Sequence, residues 1–205
     1  GGALSGDGGF VETSGKNFLE ITRAADVTAA FGLGGEWLID PRDIIIVAGS
    51  GNTGINGSNP FVSTGDSSIL GVDLIVAALT GGANVTITTG SDGTQAGDIT
   101  LNADLDFNGT GANTLSFIAH NDIILNNSIL DSSAGGDTLN LVFTADSDLS
   151  GSGNLVVGAA ASVETQGGSM QVTARDVDIQ GTLDAGVGDV TIAIAQTGTD
   201  QIQIG

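Results

Sequence analysis

The sequence predicts an all-β protein, and more specifically a right-handed parallel β-helix, from its composition and its apolar spacing. Gly supplies 34 of 205 residues, yet mean hydropathy is +0.26 and 40% of residues are apolar, which is too hydrophobic for a disordered linker. The chain has 7 Phe, 1 Trp and no Tyr. Because few side chains are bulky, we expect a narrow core of Ile, Leu, Val and Ala that repeats along an axis.

Short β-type runs recur along the chain, and Gly, Asn, Asp or Ser follows each of them. Most runs are rich in β-branched residues, as strands are. The predicted strands are residues 18–21, 37–39, 44–47, 84–88, 98–105, 114–119, 122–125, 138–144, 154–157, 169–174, 177–179, 189–195 and 201–204.

A loose repeat of about 20 to 25 residues combines a turn, an alternating strand, a polar corner and a second short strand. One such unit cannot bury its own apolar face, so it must stack on its neighbours, as the coils of a parallel β-helix do. Leucine-rich repeats would need helical segments that this pattern lacks. The residues expected to stack inward in columns are Val85, Ile87, Ile99, Leu101, Leu115, Phe117, Leu139, Leu141, Val172, Val190 and Ile192.

Two segments interrupt the repeat within what we take to be one domain of residues 1–205. Residues 48–68 are rich in Gly, Ser and Asn and predict a long loop. Residues 72–79, VDLIVAAL, lack strand alternation, so a short helix with Asp73 near its start and a buried strand both stay open.

The charge balance excludes some classes of partner. Lys and Arg total 4 against 24 Asp and Glu, a net charge of −20, which excludes nucleic acid and disfavours anionic lipid. Divalent cations and basic surfaces remain compatible partners of so acidic a chain. The absence of Cys excludes disulfides and thiolate metal sites. No apolar run reaches the ~18 residues of a membrane span. The residues from Gly1 onward do not have the pattern of a signal peptide, so we expect an export signal to lie upstream.

Two stretches, GGFVETSG at residues 8–15 and GEWLIDPRDI at residues 35–44, resemble signature motifs of filamentous-haemagglutinin-like exoproteins of bacterial two-partner secretion. Residues 77–90 and 114–129 are similar to these exoproteins in a looser way. The resemblance implies a secreted β-helical shaft, extracellular or on the bacterial cell surface, that serves adhesion or forms a structural fibre. The Asn-Pro-Asn motifs of the family's secretion domain are missing here, which implies a segment of the shaft or its end.

The resemblance also implies partners and a non-enzymatic role. The partners would be an outer-membrane transporter during secretion and a host or neighbouring cell surface or glycan. The uncovered ends of a stack of coils separately predict that the chain binds itself, through end-to-end stacking or shaft continuation. A carbohydrate-active β-helix enzyme, lyase or hydrolase, or a glycan-binding module is the alternative, and such an enzyme needs clustered carboxylates or a base. The candidate residues for it are Asp146, Asp148, Arg175, Asp176, Asp178, Asp184 and Asp189.

The residues of the second motif predict a structural corner rather than a catalytic site. We expect Trp37 to begin an inward-facing strand that ends at Asp40 and Pro41, because Pro restricts its predecessor and donates no ladder hydrogen bond. Asp43 is expected to cap the following turn by accepting backbone N–H groups.

Three further sets of residues bear on metal binding, on a corner of the fold and on glycosylation. Asp92 and Asp98 offer oxygen ligands for calcium in a Gly-containing loop, although no EF-hand pattern is present and an Asx-capped turn is the alternative. No other cofactor is expected. His120, the only histidine, is expected at a corner or facing outward, with Asn121 and Asp122 accepting turn hydrogen bonds.

Four Asn residues open N-x-S/T acceptors for glycosylation. In a solenoid, such Asn side chains more often form stacked amide ladders from coil to coil. The four are Asn56, Asn84, Asn108 and Asn126.

Overall fold

The computed structural model describes residues 6–14, 25–29, 32–40, 43–50, 55–56, 62–63, 67–89, 95–133 and 136–195. Within them lie 19 strands and one helix, which confirms the predicted all-β class; of the two alternatives for residues 72–79, the structure has the helix. The elements are β1 (Phe10–Ser14), β2 (Glu36–Asp40), β3 (Asp43–Val47), β4 (Ile55–Asn56), β5 (Val62–Ser63), β6 (Ser67–Gly71), α1 (Val72–Thr80), β7 (Asn84–Thr88), β8 (Ile99–Leu101), β9 (Leu105–Asp106), β10 (Asn113–Ile118), β11 (Ile123–Leu125), β12 (Ile129–Leu130), β13 (Leu139–Thr144), β14 (Asn154–Val157), β15 (Ser162–Glu164), β16 (Met170–Ala174), β17 (Asp176–Ile179), β18 (Thr182–Asp184) and β19 (Val190–Ile194).

Most strands belong to three parallel sheets. Sheet A has the order β1-β2-β7-β10-β13-β16-β19, sheet B the order β17-β14-β11-β8-β3-β6, and sheet C the order β18-β15-β12-β9. From β7 onward, every three consecutive strands contribute one strand to A, one to B and one to C, and β19 returns to A. Each turn of the chain therefore stacks on the turn before it.

The core is built from side chains that alternate between the inside and the outside of each strand. In β10 and β13 every second residue is buried, as the period of two in a strand requires. The pairing register aligns like with like, so that Phe117 lies beside Phe143 with ring centroids 5.4 Å apart. Such stacked aromatic pairs add about 0.5–1.5 kcal/mol beyond burial of their area.

The predicted core residues are buried except near the last described turn. Val190 pairs with Met170 and so continues an inward column, yet it is 44% exposed, and its predicted burial was wrong. Val190 is exposed because β19 is the last described strand of sheet A, and no described strand pairs with its far side. Ile192, on the same strand, is partly buried against the core.

The predicted unit of two strands and 20 to 25 residues was too simple. Val85, Leu115, Leu141, Met170 and Val190 are successive register partners, and their separations of 30, 26, 29 and 20 residues vary with loop length. Each unit also contains a third strand in sheet C that was not predicted separately. The single strand predicted for residues 98–105 is thus divided by a corner into β8 and β9.

The helix α1 closes one edge of sheet C. Leu74, Ile75, Ala78 and Leu79 are buried at helical spacing, whereas Asp73 is exposed in the first turn, where a carboxylate suits the helix dipole. The helix ends as the amides of residues 81 and 82 bond to carbonyls of the last turn. It contacts β6, β7 and β9, and β9 is the edge strand of sheet C. It therefore occupies the place that a sheet C strand has in later turns.

The segment predicted as a loop, residues 48–68, contains one described antiparallel pair, β4 with β5. Its last two residues are not loop but the start of β6, which pairs with β3. The strands predicted for residues 18–21 and 201–204 lie outside the described residues.

Candidate functional site

Polar residues form a column along the corner that precedes sheet B. Asp43 Oδ1 accepts the backbone N–H groups of Gly97 and Asp98 at 2.8 and 2.9 Å. Asp98 Oδ1 accepts Asn121 Nδ2 at 2.7 Å and the Asp122 N–H at 3.1 Å. We call Asp43, Asp98, Asp122, Asn154 and Asp176 the corner column.

The column continues in the same manner through the next turn, where Asp122 Oδ1 accepts the Asn154 N–H at 2.8 Å. In each case a carboxylate of one turn binds an amide of the following turn. Such hydrogen bonds to charged groups contribute more than those between neutral groups, about 1.5–3 kcal/mol each. The column therefore closes the corner where the strand ladders are interrupted.

Gly97 allows the first step of the column. Its φ of +85° is a left-handed conformation that side chains rarely adopt, and a Cβ there would come within 2.9 Å of the His120 Cβ. Its N–H reaches Asp43, and its carbonyl accepts the Asn121 N–H. The turn at this corner consequently requires glycine.

Two shorter columns mark the other corners. Before sheet A, Asn84 Oδ1 accepts the Thr114 N–H, and Asn140 Oδ1 accepts the Ser169 N–H, both at 2.9 Å. Before sheet C, Asp104 Oδ1 accepts the Ser128 N–H at 2.9 Å. All three corners thus use short polar side chains to align successive turns.

The corner motif of the sequence lies at the start of this arrangement. Trp37 is 1% exposed and pairs with Val85 in sheet A, so it fills the core at that level. Asp40 is the last residue of β2, as predicted, and Pro41 lies outside the described residues. Asp43 does accept backbone N–H groups, but they belong to the neighbouring turn and not to its own.

The calcium hypothesis rested on Asp92, which lies outside the described residues, and Asp98, which serves the corner column. Among the residues that the structure describes, no three His, Cys, Asp or Glu side chains are grouped to hold a metal ion.

The loop between β13 and β14 places two carboxylates, Asp146 and Asp148, near the only histidine. His120 is half-buried, and its Nδ1 lies 3.9 Å from Asp148 Oδ2. Asp146 is fully buried with a φ of +55°, and its Oδ1 accepts the Gly151 N–H at 3.0 Å and the Ser150 hydroxyl at 3.1 Å. This loop is therefore held by its own carboxylates.

The neighbours of His120 differ in part from expectation. Asn121 was expected to accept turn hydrogen bonds, but its side-chain amide donates to Asp98. Asp122 does accept an amide, although from the following turn. The column partners lie more than twenty residues apart, which is why local turn rules did not find them.

Besides the exposed Asp26, whose pKa is lowered by hydrogen bonds from Thr28, two carboxylates have lowered pKa values. For Asp148, burial raises the pKa, but hydrogen bonds from Ser150 and the charge of nearby His120 outweigh burial and bring the pKa below 3.8. For Asp106, burial also raises the pKa, and hydrogen bonds from Ser132 and Asn108 bring it below the same value. Both groups are thus stabilised as anions by local donors.

The candidate catalytic carboxylates of the last turn are spread over its three sides. Asp176 and Asp178 are exposed on β17 of sheet B, Asp184 is exposed on β18 of sheet C, and Asp189 precedes β19 of sheet A. Arg175 is exposed beside Asp176. Only the Arg175, Asp176 and Asp178 group shares one side of the molecule.

The described acceptor sites for glycosylation differ in accessibility. Asn84 is half-buried and belongs to a corner column, and Asn126 Nδ2 donates to Asn102 Oδ1 at 2.8 Å in the amide ladder expected of a solenoid. Asn108 is exposed in the turn after β9. Asn56 is in β4, and its side chain lies outside the described part.

Comparison with models of known protein families finds no match to this chain, and comparison with curated protein sequences finds none either. Within the described residues, no helix has the length and apolar character needed to cross a bilayer, since α1 has only nine residues.

Proposed function

We propose that this chain is a right-handed parallel β-helix that acts as a non-enzymatic, extracellular shaft segment in adhesion or in a structural fibre. The observation that carries the proposal is the recurrence, from β7 onward, of one strand in each of three parallel sheets for every turn of the chain. Such a stack is quasi-one-dimensional, because each turn contacts only its neighbours. A protein built in this way is long and presents an extended lateral surface.

The use of the carboxylates supports a structural role. Asp43, Asp98 and Asp122 of the corner column accept backbone amides from the following turn, and Asp146 holds its own loop. Their charges are thereby engaged in aligning the chain. The carboxylates of the last turn are the exception, because they are exposed.

The proposed membership is in the filamentous-haemagglutinin-like exoproteins, exported through an outer-membrane transporter. Its support is that the two motif stretches meet in space: Phe10 to Ser14 in β1 pair with Glu36 to Asp40 in β2, in register. Segments that resemble a signature in sequence are thus adjacent in sheet A. The further partners would be a neighbouring cell surface or glycan, and no nucleic acid or resident cofactor is proposed.

The test is made on the cells that produce the protein. An antibody against the chain should label intact cells or the medium, and deletion of its gene should lower attachment of the cells to surfaces. Deletion of a neighbouring transporter gene should abolish the extracellular label. Labelling confined to permeabilised cells would contradict the proposal.

An enzyme remains the second candidate because Arg175 lies beside Asp176 and Asp178 on one exposed side. We predict that Arg175→Ala combined with Asp176→Asn leaves surface binding within a few fold of the original. Polysaccharide cleavage is measured as the loss of polymer viscosity. Cleavage by the original protein that disappears in the folded double variant would establish the enzyme.

A further inference from the structure

Four consecutive strands of sheet A have an uncharged outward face, although β2 beside them carries Glu36. The strands β7, β10, β13 and β16 contain no Asp, Glu, Lys, Arg or His, although the chain has a net charge of −20. Their outward residues form two register-aligned columns, which we call the neutral face. It consists of Thr86, Ser116, Val142 and Gln171 in one column and Thr88, Ile118, Thr144 and Thr173 in the other.

The outward residues of sheet C are acidic, whereas those of the middle strands of sheet B, Ile45, Ile124 and Val156, are apolar. The corner column borders sheet B, where Asp178 also faces outward. In sheet C, Asp106, Glu164 and Asp184 alternate with the core residues. The charges of sheet C and of the corner column thus lie outside the neutral face, whereas Glu36 of β2 borders it and accepts the Thr86 hydroxyl at 3.0 Å.

The polar groups of the neutral face also differ in how they are used. The corner side chains are bonded to the neighbouring turn. By contrast, the side chains of Ser116, Thr144 and Thr173 donate to and accept from no other group in the described part of the chain. They are only half-buried, and Gln171 is exposed. Donors and acceptors are thus available to a ligand on this side.

We infer that the neutral face binds a neutral polysaccharide that lies along the axis of the stacked strands. Hydroxyl and amide groups recur there at the strand spacing of ~4.8 Å, so a repeating polymer meets equivalent contacts on successive strands. Val142, Ile118 and the Thr methyl groups suit the apolar C–H surfaces of sugar rings. The net charge repels acidic polymers. This inference rests on the proposed adhesive function and names its ligand class.

The inference is tested with purified protein and two neutral probes, dextran and hydroxyethyl cellulose, with polygalacturonate as the acidic comparison. Affinity electrophoresis should show retardation by at least one neutral polymer and none by the acidic one. The double variant Ser116→Glu and Thr144→Glu should weaken that binding at least tenfold. The matched control, Thr100→Glu, adds a charge to an outward residue of sheet B and should bind as the original does.

Thermal unfolding followed by circular dichroism verifies that each variant is folded, and the single variants replace the double variant if it is not. Absence of binding to both neutral polymers, or equal binding by the face variant, would overturn the inference. Self-association that Ser116→Glu and Thr144→Glu abolish would also overturn it, because the occupant would then be a second copy.

Cell attachment separates this inference from the proposed function. Loss of polymer binding in the face variant with unchanged attachment of the cells leaves the neutral face as a polysaccharide site and contradicts an adhesive role for it. If gene deletion lowers cell attachment but the original protein binds neither neutral polymer, adhesion is supported and the neutral face is overturned as a polysaccharide site.

Discussion

Asp98 connects three successive turns of the chain. Its own N–H is bound by Asp43 of the preceding turn in sheet B, and its carboxylate binds Asn121 and Asp122 of the following turn. A shift of one turn by a single residue would break these bonds and would also move apolar side chains to the outside. One short side chain therefore contributes to the register of the whole stack.

We predict that Asp98→Ala lowers the free energy of unfolding by about 1–3 kcal/mol, because the donors that Asp98 binds lose their acceptor. Asp98→Asn should cost less, since it retains an acceptor oxygen. Urea denaturation measures both values. The control is Asp178→Asn, whose carboxylate is exposed and which should leave stability unchanged. Equal stability of Asp98→Ala and the original would show that the column does not support the fold.

The lowered pKa values of Asp106 and Asp148 predict a loss of stability in acid. A carboxyl group whose pKa is lower in the folded protein stabilises it above the unfolded value, near 3.8, and this contribution is lost as pH falls through the folded value. The urea concentration at the unfolding midpoint, measured between pH 6 and pH 2, should therefore decrease as the pH falls below about 3.8. In the Asp148→Asn variant the fall should be smaller. An identical acid dependence in that variant would assign the effect to other groups.

At the scale of single elements, the longer strands could be predicted because several side chains display the period of two. Leu115 and Phe117 in β10, and Leu141 and Phe143 in β13, give such a pattern. The strands of sheet C have two or three residues, with Leu105, Ile129, Val163 and Leu183 as single inward positions. One apolar residue defines no period, and so these strands could not be separated from the corners.

The candidate site was less predictable than the strands for a different reason. Asp43 was expected to cap a turn, yet its partners Gly97 and Asp98 lie more than fifty residues away in sequence, beyond the long loop. Such contacts follow only from the stacking register. The helix α1 was recognisable as one of two alternatives, because its burial at 74, 75, 78 and 79 fits a helix but a run of apolar residues also fits a buried strand.

We predict that Leu141→Asp, in β13, destabilises the protein by about 4 kcal/mol or more, because an unpaired charge would be buried in a narrow core. The next residue provides the control. Val142 faces outward and is half-buried, so Val142→Asp should cost much less. Thermal unfolding followed by circular dichroism compares the two variants. Similar losses in both would contradict the assigned inward and outward faces.

At the scale of the whole molecule, the two ends of the stack differ. At one end α1 packs on the edge of sheet C, whereas β1 is the edge strand of sheet A. At the other end no described strand covers β17, β18 or β19, and Ile179 and Val190 are 41% and 44% exposed. Uncovered strand edges favour pairing with another chain. The opposite edges of sheet A, β1 and β19, are suited to join in parallel.

We predict that salt and divalent cations promote head-to-tail association, because they screen the repulsion due to the net charge of −20. Light scattering across sodium chloride and calcium series should show growing particle size. Val190→Lys, which places a charge on the edge strand β19, should suppress the growth, and Thr100→Lys on the central strand β8 should not. A single monomeric size under all conditions would contradict the stacking.

The corner columns have a consequence for how such a chain can change its length during evolution. The turns that contain Asp98 and Asp122 each bind the carboxylate of the turn before and offer a carboxylate to an amide of the turn after. A duplication of one of these complete turns would restore a contact of this kind at the new junction. Gain or loss of a single residue within a strand would restore no such contact. We therefore expect related genes to differ by whole turns, and smaller differences to be confined to the loops.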